Sequence, residues 1–417
     1  MLSNFKINSN EIDKIGDFSK SEKNFRLQNL DYFNKKGFPN KKIEDWKFTD
    51  LKEIFSKNFR KINLNKTDAL EKNINFITDF EHNYIITING ELSESNFKFE
   101  NKSKIKIQTF FNDDFSNTKA ENPLINLNHA LSNKGYILDI EENYKFKRVL
   151  VIYNIFTNNL DENIINVKNR INVGKNAEIH TIDYTINKSR KIFFSNVYEN
   201  ILLNQSSVLK NICLDNEKSK GFFHRYSKYT ISKNAKHSTY YFPSGSKFNK
   251  TDLQFDMTGE NSECNLLAAS YLDEDDHHEI KTRINHLVPN CKSYQKIKNV
   301  LNSESKGVFQ GKIYVKDLAQ KTDAYQLSNA ILLSENSEFD SKPELEIYAD
   351  DVKCSHGSTS GNIDENSIYY LMSRGISKSE SIKMLVSGFL NEITDLIKSD
   401  TIRSFVKGKL ERQLYGH

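Results

Sequence analysis

From Gly135 to Gly361 apolar and polar positions alternate in short runs separated by polar turns, with almost no helical periodicity, which predicts strands throughout. The turns recur as Gly174-Lys-Asn-Ala-Glu178, Asn204-Gln-Ser-Ser207, Ser232-Lys-Asn-Ala-Lys236, Gly259-Glu-Asn-Ser-Glu263 and Pro289-Asn-Cys-Lys292. Their centres, Asn176, Gln205, Asn234, Asn261 and Asn290, lie 29, 29, 27 and 29 residues apart. So constant a period indicates stacked coils, each burying its apolar face on the next. A β-sandwich places strands every 8–12 residues or so but gives no reason for this longer repeat. The predicted fold is mainly β, with a right-handed parallel β-helix core over residues 136–361.

The flanks read differently. From Asn4 to about Phe59 the pattern is helical: Phe25, Leu27, Leu30, Tyr32 and Phe33 precede a break at Gly37-Phe-Pro39, and Ile43, Trp46, Leu51, Ile54 and Phe55 follow it. Trp46 is expected to anchor helix packing. Between Lys61 and Ser132 strand-like pieces such as Tyr84-Ile-Ile-Thr-Ile88 alternate with polar loops, so residues 1–135 form a helical unit followed by a linker region with partial sheet character. After Gly361 the period becomes helical again. Asp364 caps a helix through Met372, and Ser377-Lys-Ser-Glu380 is a capping box for the next, which puts Ile382, Leu385, Val386, Phe389, Leu390, Ile393, Leu396 and Ile397 on one face. A basic segment from Thr401 to Tyr415 completes the unit at 362–417, which is expected either to cap the end of the solenoid or to dock a partner.

The 417 residues suffice for two or three structural units. The 59 basic and 55 acidic residues are well mixed and Lys is far commoner than Arg, which describes a solvated surface and excludes the clustered basic stripe of a nucleic-acid binder. Met1 to Asn10 has no apolar signal-like core, and runs such as Val149-Leu-Val-Ile-Tyr153 are too short to cross a bilayer, so neither a membrane anchor nor export is expected. Four cysteines without a Cys-x-x-Cys spacing argue against a zinc ribbon or a disulfide framework and suit a reducing cytoplasm.

The sharpest chemical signal is Cys354-Ser355-His356-Gly357 at the end of an apparent strand. Residues i and i+2 of a strand share a face, with α-carbons roughly 6–7 Å apart, so the thiol and imidazole can serve a common metal ion or cluster. Two ligands do not complete a tetrahedral centre, and the remainder must come from elsewhere. Taken alone, Cys354 reads more readily as a small buried hydrophobe than as a ligand, and its pairing with His356 at strand spacing narrows that difference. Asp273-Glu-Asp-Asp-His-His-Glu279 with His286 is a weaker candidate, because adjacent His277 and His278 point to opposite faces of a strand. Cys264 and Cys291 are read as interior packing, and Cys213 has no evident partner. A Cys354–His356 hydrolase is disfavoured by the spacing and the lack of an orienting third residue. No phosphate-binding loop is present, so any ATP dependence must come from another chain.

Taken in order, Ser305-Lys-Gly-Val-Phe-Gln-Gly-Lys-Ile-Tyr-Val315, Ala319-Gln-Lys-Thr-Asp-Ala324, Leu332-Leu-Ser334, Ser341-Lys-Pro-Glu-Leu-Glu-Ile-Tyr-Ala-Asp-Asp-Val-Lys-Cys-Ser-His-Gly357 and Tyr370-Leu-Met-Ser-Arg-Gly-Ile376 resemble the SufD branch of the SufB/SufD family, scaffold components of SUF iron-sulfur cluster assembly. Glu44-Asp-Trp-Lys-Phe-Thr-Asp-Leu51 is similar to the short signature near the family's N-terminus. There are two departures from the pattern: His356-Gly-Ser-Thr-Ser-Gly361 stands for His-Gly-Ala-Thr-Val-Gly, and Ala330 for an Asn. The resemblance implies a β-helix that pairs with SufB, docks the ABC-type ATPase SufC through its C-terminal helices, depends on ATP only through SufC, and is not itself an enzyme. It further implies a transient cluster at the SufB–SufD interface, with His356 the leading ligand and Cys354 a second ligand or a contributor to geometry. A homodimeric interaction protein without cluster ligation and a carbohydrate-active β-helix enzyme are the alternatives, the latter lacking an evident acidic pair.

Overall fold

A computed structural model describes residues 5–59, 62–65, 74–112, 120–215 and 218–415; the predicted segment ends at Asn4 and Lys61 lie outside them. Two ten-stranded sheets face each other, and successive strands of the chain alternate between them. Odd strands, from Asn163–Val173 to Glu338–Ile347, stack in one sheet, and even strands, from Leu150–Phe156 to Val352–Asn362, stack in the other. Within each sheet these coils pair in parallel, as in the series Val208, Lys236, Glu263 and Lys292. The result is the expected β-solenoid, of about seven turns. The even sheet also takes in Asn83–Ile88, which pairs in parallel with Leu150–Phe156.

The repeated turns follow from backbone chemistry. Asn176, Ser206, Asn234, Asn261 and Asn290 all have positive φ, a conformation that Asn tolerates because its short amide bonds locally. In four of these turns the backbone N–H donates to a carbonyl in the turn of the following coil: Asn176 to Gln205, Ser206 to Lys233, Asn234 to Glu260 and Asn290 to Gln320, at 2.9–3.0 Å. One expectation shifts by a residue, since Ser206 and not Gln205 takes the left-handed position. Between the sheets, Ile179, Leu209, Cys264, Leu266, Ile284 and Ile297 are among the side chains buried in the lumen. Each large aliphatic chain so buried contributes about 1.5–3 kcal/mol.

The helices Lys20–Lys36, Leu51–Asn58 and Pro123–Leu131 lie on the outside of the odd sheet, where Leu30, Phe33, Phe55 and Leu127 meet Phe194, Phe222 and Phe248. Ser19 caps the first through the Glu22 N–H and Gly37, at φ +70°, ends it. Trp46 is in a short 3-10 turn, Glu44–Trp46, and is buried in the cluster that joins these helices to the sheet, with its ring 5.6 Å from that of His224. At the other end, Glu365–Met372 and Lys378–Thr394 begin at Asp364 and at the Ser377–Glu380 capping box, as the sequence predicts. Val386, Leu390, Ile393 and Ile397 bury against Ile212, Leu214, Leu267 and Val300 on the outer face of the even sheet. The C-terminal helices therefore cover a flank. The strands Glu338–Ile347 and Val352–Asn362 stay at the sheet ends, the first mostly half-buried and the second mostly exposed, so among the described residues the last coil is uncapped. No described helix is long and apolar enough to cross a membrane.

The terminal coil as candidate functional site

Strand Val352–Asn362 pairs in register with Thr322–Leu332, so Ala324, Gln326 and Ser328 lie beside Cys354, His356 and Ser358. Ala324, Gln326 and Ser328 are buried and face the lumen, and alternation puts Cys354, His356 and Ser358 on the same inward face. Ser358 Oγ accepts from Ser328 Oγ at 2.9 Å, and Ser328 Oγ lies 3.0 Å from Ser341 Oγ on the opposite strand, which ties the two sides of the coil together. Cys354 is half-buried against Ile313, Val315, Ala319, Ala324 and Ala349. Burial, then the nearby Asp323 charge, pushes its thiol above the ordinary range. His356 is exposed at the mouth of the lumen.

The predicted pair is thus brought to one face of one strand, at the open end. Among the described residues no group of three or more His, Cys, Asp and Glu side chains could hold a metal ion. Apolar side chains rim the end: Leu318 is 61% and Tyr348 60% exposed in the terminal turns. Tyr369, Tyr370 and Met372 are exposed on the helix that follows.

The weaker candidates separate. His278 points inward and its Nε2 lies 2.7 Å from the Ser246 carbonyl, while His277 points outward and sits 3.1 Å from Glu279 Oε1. His286 is buried with Nε2 2.9 Å from Ser293 Oγ. Cys264 pairs in register with Ser293, two residues from Cys291, whose sulfur lies 3.3 Å from Ser262 Oγ; both cysteines pack in the interior. Burial raises the thiols of Cys213, Cys264 and Cys291.

Two charged clusters escaped the sequence reading. Inside the solenoid, Arg225 bonds Asp183 and lies 3.8 Å from Glu199, beside a small pocket of about 60 Å³. Between the odd sheet and the N-terminal unit, fully buried Lys250 pairs with fully buried Glu279 and lies 3.6 Å from Asp252, which is itself 3.6 Å from His224 Nε2. The segment Glu44–Thr49 sits on this cluster: Glu44 pairs with Lys342, Asp45 with Lys281, the Trp46 ring lies 4.7 Å from Lys250 Nζ, and Thr49 Oγ1 bonds Glu279. The only signal for it was charge at alternate strand positions, such as Lys250 and Asp252, which reads equally well as a solvated face.

Family models match nearly the whole chain: the SufBD protein N-terminal region over residues 5–152, and the SufBD core domain of SUF system FeS cluster assembly over residues 155–389. The iron-sulfur cluster assembly protein SufD of Escherichia coli is 24% identical over 400 residues, covering 93% of this chain and 92% of that protein. An iron-sulfur cluster assembly SufBD family protein of Synechocystis is 26% identical over 388 residues, covering 86% and 84%. A coil-by-coil solenoid, a Cys-Ser-His end strand and these matches agree, and the chain belongs to the SufBD family of SUF iron-sulfur cluster assembly proteins as a homologue of SufD.

Proposed function

We propose that the chain serves as a SufD-like scaffold, not an enzyme, which pairs with SufB through its uncapped last coil and docks the SufC ATPase through its C-terminal helices. The observation that carries this is the open end itself. Among the described residues, strand Val352–Asn362 leaves one edge without a neighbour, apolar side chains lie around it, and His356 stands at the mouth of the lumen. An unpaired, apolar-rimmed edge is a surface that a second chain can cover. Nascent iron-sulfur cluster is the cargo at that junction, with His356 supplying a nitrogen ligand and SufB the principal thiolate. Cys354 sits among Ala and Val side chains with its thiol pushed up by burial, which suits a contributor to geometry better than a second ligand. ATP acts only through SufC: ATP-bound SufC favours an opened arrangement by binding it more tightly.

Anaerobic co-purification with SufB and SufC, followed by iron and sulfide analysis, tests this reading. His356→Ala should keep folding and complex formation but lose most of the cluster loading, and Cys354→Ser should lose less. Full loading of the His356→Ala complex eliminates the ligand assignment. Failure to capture SufB eliminates the pairing.

A further inference from the structure

A cleft of about 870 Å³ opens on the outer face of the even sheet, beside the last helix, Asp400–Tyr415. Phe405, Gly408, Lys409, Arg412 and Gln413 line it, and offsets of three, four, seven and eight residues from Phe405 put them on one face of that helix. The facing wall is the sheet. Tyr184 and Lys188 reach it from strand Glu178–Asn187 and the residue just past it, four positions apart and so on the same side of the strand, and Tyr271 reaches it from strand Glu263–Leu272. Gln413 Nε2 donates to Ser244 Oγ at 2.6 Å and ties the helix to the strand ends. The terminal coil contributes none of the described lining residues.

Charge and space converge here. The cations Lys188, Lys218, Lys409 and Arg412 line the cleft against Asp79, Asp273 and Asp276. Lys218 pairs with Glu274 at 2.6 Å, and Asp273 accepts from Asn302 and Ser303. Lys409 holds its Nζ 5.3 Å from the centre of the Tyr184 ring and 5.6 Å from that of Phe405, which fixes the cation over an aromatic floor. Asp276 is half-buried, and burial pushes its carboxyl up to about 7 against the pull of Lys218. Near neutrality it therefore both donates and accepts hydrogen bonds. Glycine is among the poorest helix formers, yet Gly408 sits in the interior of its helix, where a Cβ would meet nothing within 4 Å. Packing does not require that glycine. What its missing side chain leaves is room in the cleft.

We propose that the cleft binds an organic phosphate monoester with a hydroxylated body: the phosphate on Lys188, Lys409 and Arg412, and the body against Gly408 and Tyr271 with a hydroxyl on Asp276. A phosphate monoester carries close to two negative charges at neutral pH, which answers three cations better than one carboxylate does, and Arg adds a two-pronged contact to phosphate oxygens. A ligand hydroxyl bonds Asp276 in either protonation state. The cleft falls within the about 300–1,000 Å³ of small-ligand sites. A sugar phosphate and a nucleotide share this chemistry. No phosphoryl transfer is implied, since the site holds its ligand without a phosphate-binding loop, and the assignment does not depend on pairing with SufB or docking of SufC.

Calorimetric titration of the full chain with ribose 5-phosphate, adenosine monophosphate and inorganic phosphate tests it. At least one of the two organic phosphates should bind one to one, at least tenfold more tightly than inorganic phosphate. Ribose 5-phosphate binding as well as the nucleotide identifies a sugar phosphate site; a clear preference for adenosine monophosphate identifies a nucleotide site in which the base adds contacts. Gly408→Leu should fold with an unchanged or raised melting temperature and lose the binding, because its side chain takes the ligand's space. Lys409→Gln with Arg412→Gln should weaken binding tenfold or more. The proposal is overturned if neither organic phosphate binds saturably at millimolar concentration, if inorganic phosphate binds as tightly as both, or if binding survives in Gly408→Leu. Should Gly408→Leu fail to fold, unchanged binding in the Lys409→Gln/Arg412→Gln variant overturns it instead.

Discussion

Glu279→Gln removes one charge from the buried junction while keeping the side chain's volume. Lys250, 0% exposed, is then left with a single carboxylate, Asp252, at 3.6 Å. Removing one partner of a buried ion pair costs about 3–5 kcal/mol because the other charge stays desolvated; with Asp252 still in reach, the lower end, about 3 kcal/mol, is expected. Trp46 is the chain's one tryptophan and its ring faces Lys250, so its emission during urea unfolding reports on this junction. Lys250→Met, which strands both buried carboxylates, Glu279 and Asp252, should be less stable than Glu279→Gln, which leaves Lys250 and Asp252 as a pair. A Trp46 transition shifted by less than about 0.5 kcal/mol in Glu279→Gln, the range of ordinary surface changes, would refute the idea that this pair holds the N-terminal unit on the sheet.

The same cluster sets a pH dependence. Burial alone would raise Glu279 and Asp252, but Lys250, aided by His277 for the first and His224 for the second, overcomes it and holds both carboxyls below the usual range. Their folded values are therefore depressed, so the stability they contribute is fully present above the unfolded values of about 4 and is lost as pH falls from there toward the folded values. Burial would lower Lys250, yet Glu279 and Asp252 raise it, so its contribution persists through neutral pH and is lost only in alkali. The Trp46 midpoint should fall in acid, and less steeply in Glu279→Gln.

Alkylation of the native chain should modify Cys354 first and reach buried Cys213, Cys264 and Cys291 only after denaturation, as mass spectrometry of the labelled peptides would read. Arg374→Glu with Lys378→Glu, on the exposed rim between the first two C-terminal helices, should weaken SufC capture in a titration while leaving the melting temperature within a degree or two; unchanged affinity moves the docking surface elsewhere. Gly259→Ala would place a Cβ 1.8 Å from the backbone nitrogen of Lys233 and should cost about 1–3 kcal/mol or more in chemical denaturation, whereas Gly361→Ala meets nothing within 4 Å and should be close to neutral.

The coil period was legible because the turns are built from residues with a local reason to be there. Asn takes the positive-φ position in several of these one-step reversals, and four of the five predicted centres are those residues. Helix boundaries at Asp364 and Ser377 were legible for the same reason, since caps act within one turn of chain. Where the helices go was not. The stripe through Val386, Leu390 and Ile393 specifies that a face is buried and says nothing about its partner, and it buries on outward-facing Ile212, Leu214 and Leu267 of the even sheet rather than over the open end. The sheet side of the Trp46 setting was hidden for a related reason: His224 and Lys250 are supplied by strands some two hundred residues away.

The pairing of Cys354 with His356 was visible as two residues, and its setting only as a fold. A strand pattern places them on one face, but it cannot say that the coil above them is missing or that an amide ladder lies below. Gln295 and Gln326 occupy inward positions where alternation calls for apolar side chains. A buried amide costs free energy unless its hydrogen bonds are met; here Thr282 donates to Gln295, Gln295 donates to Gln326, and Gln326 donates to the Gly311 carbonyl. Had the chain needed only to close its lumen, Leu at both positions would pack as well without that requirement, as Leu253 and Leu266 do one layer away. The same register column carries Thr181, Asn211 and Thr239 before Leu266, so polar side chains recur along this line of the lumen, and Gln295 and Gln326 continue that pattern up to the histidine of the open end.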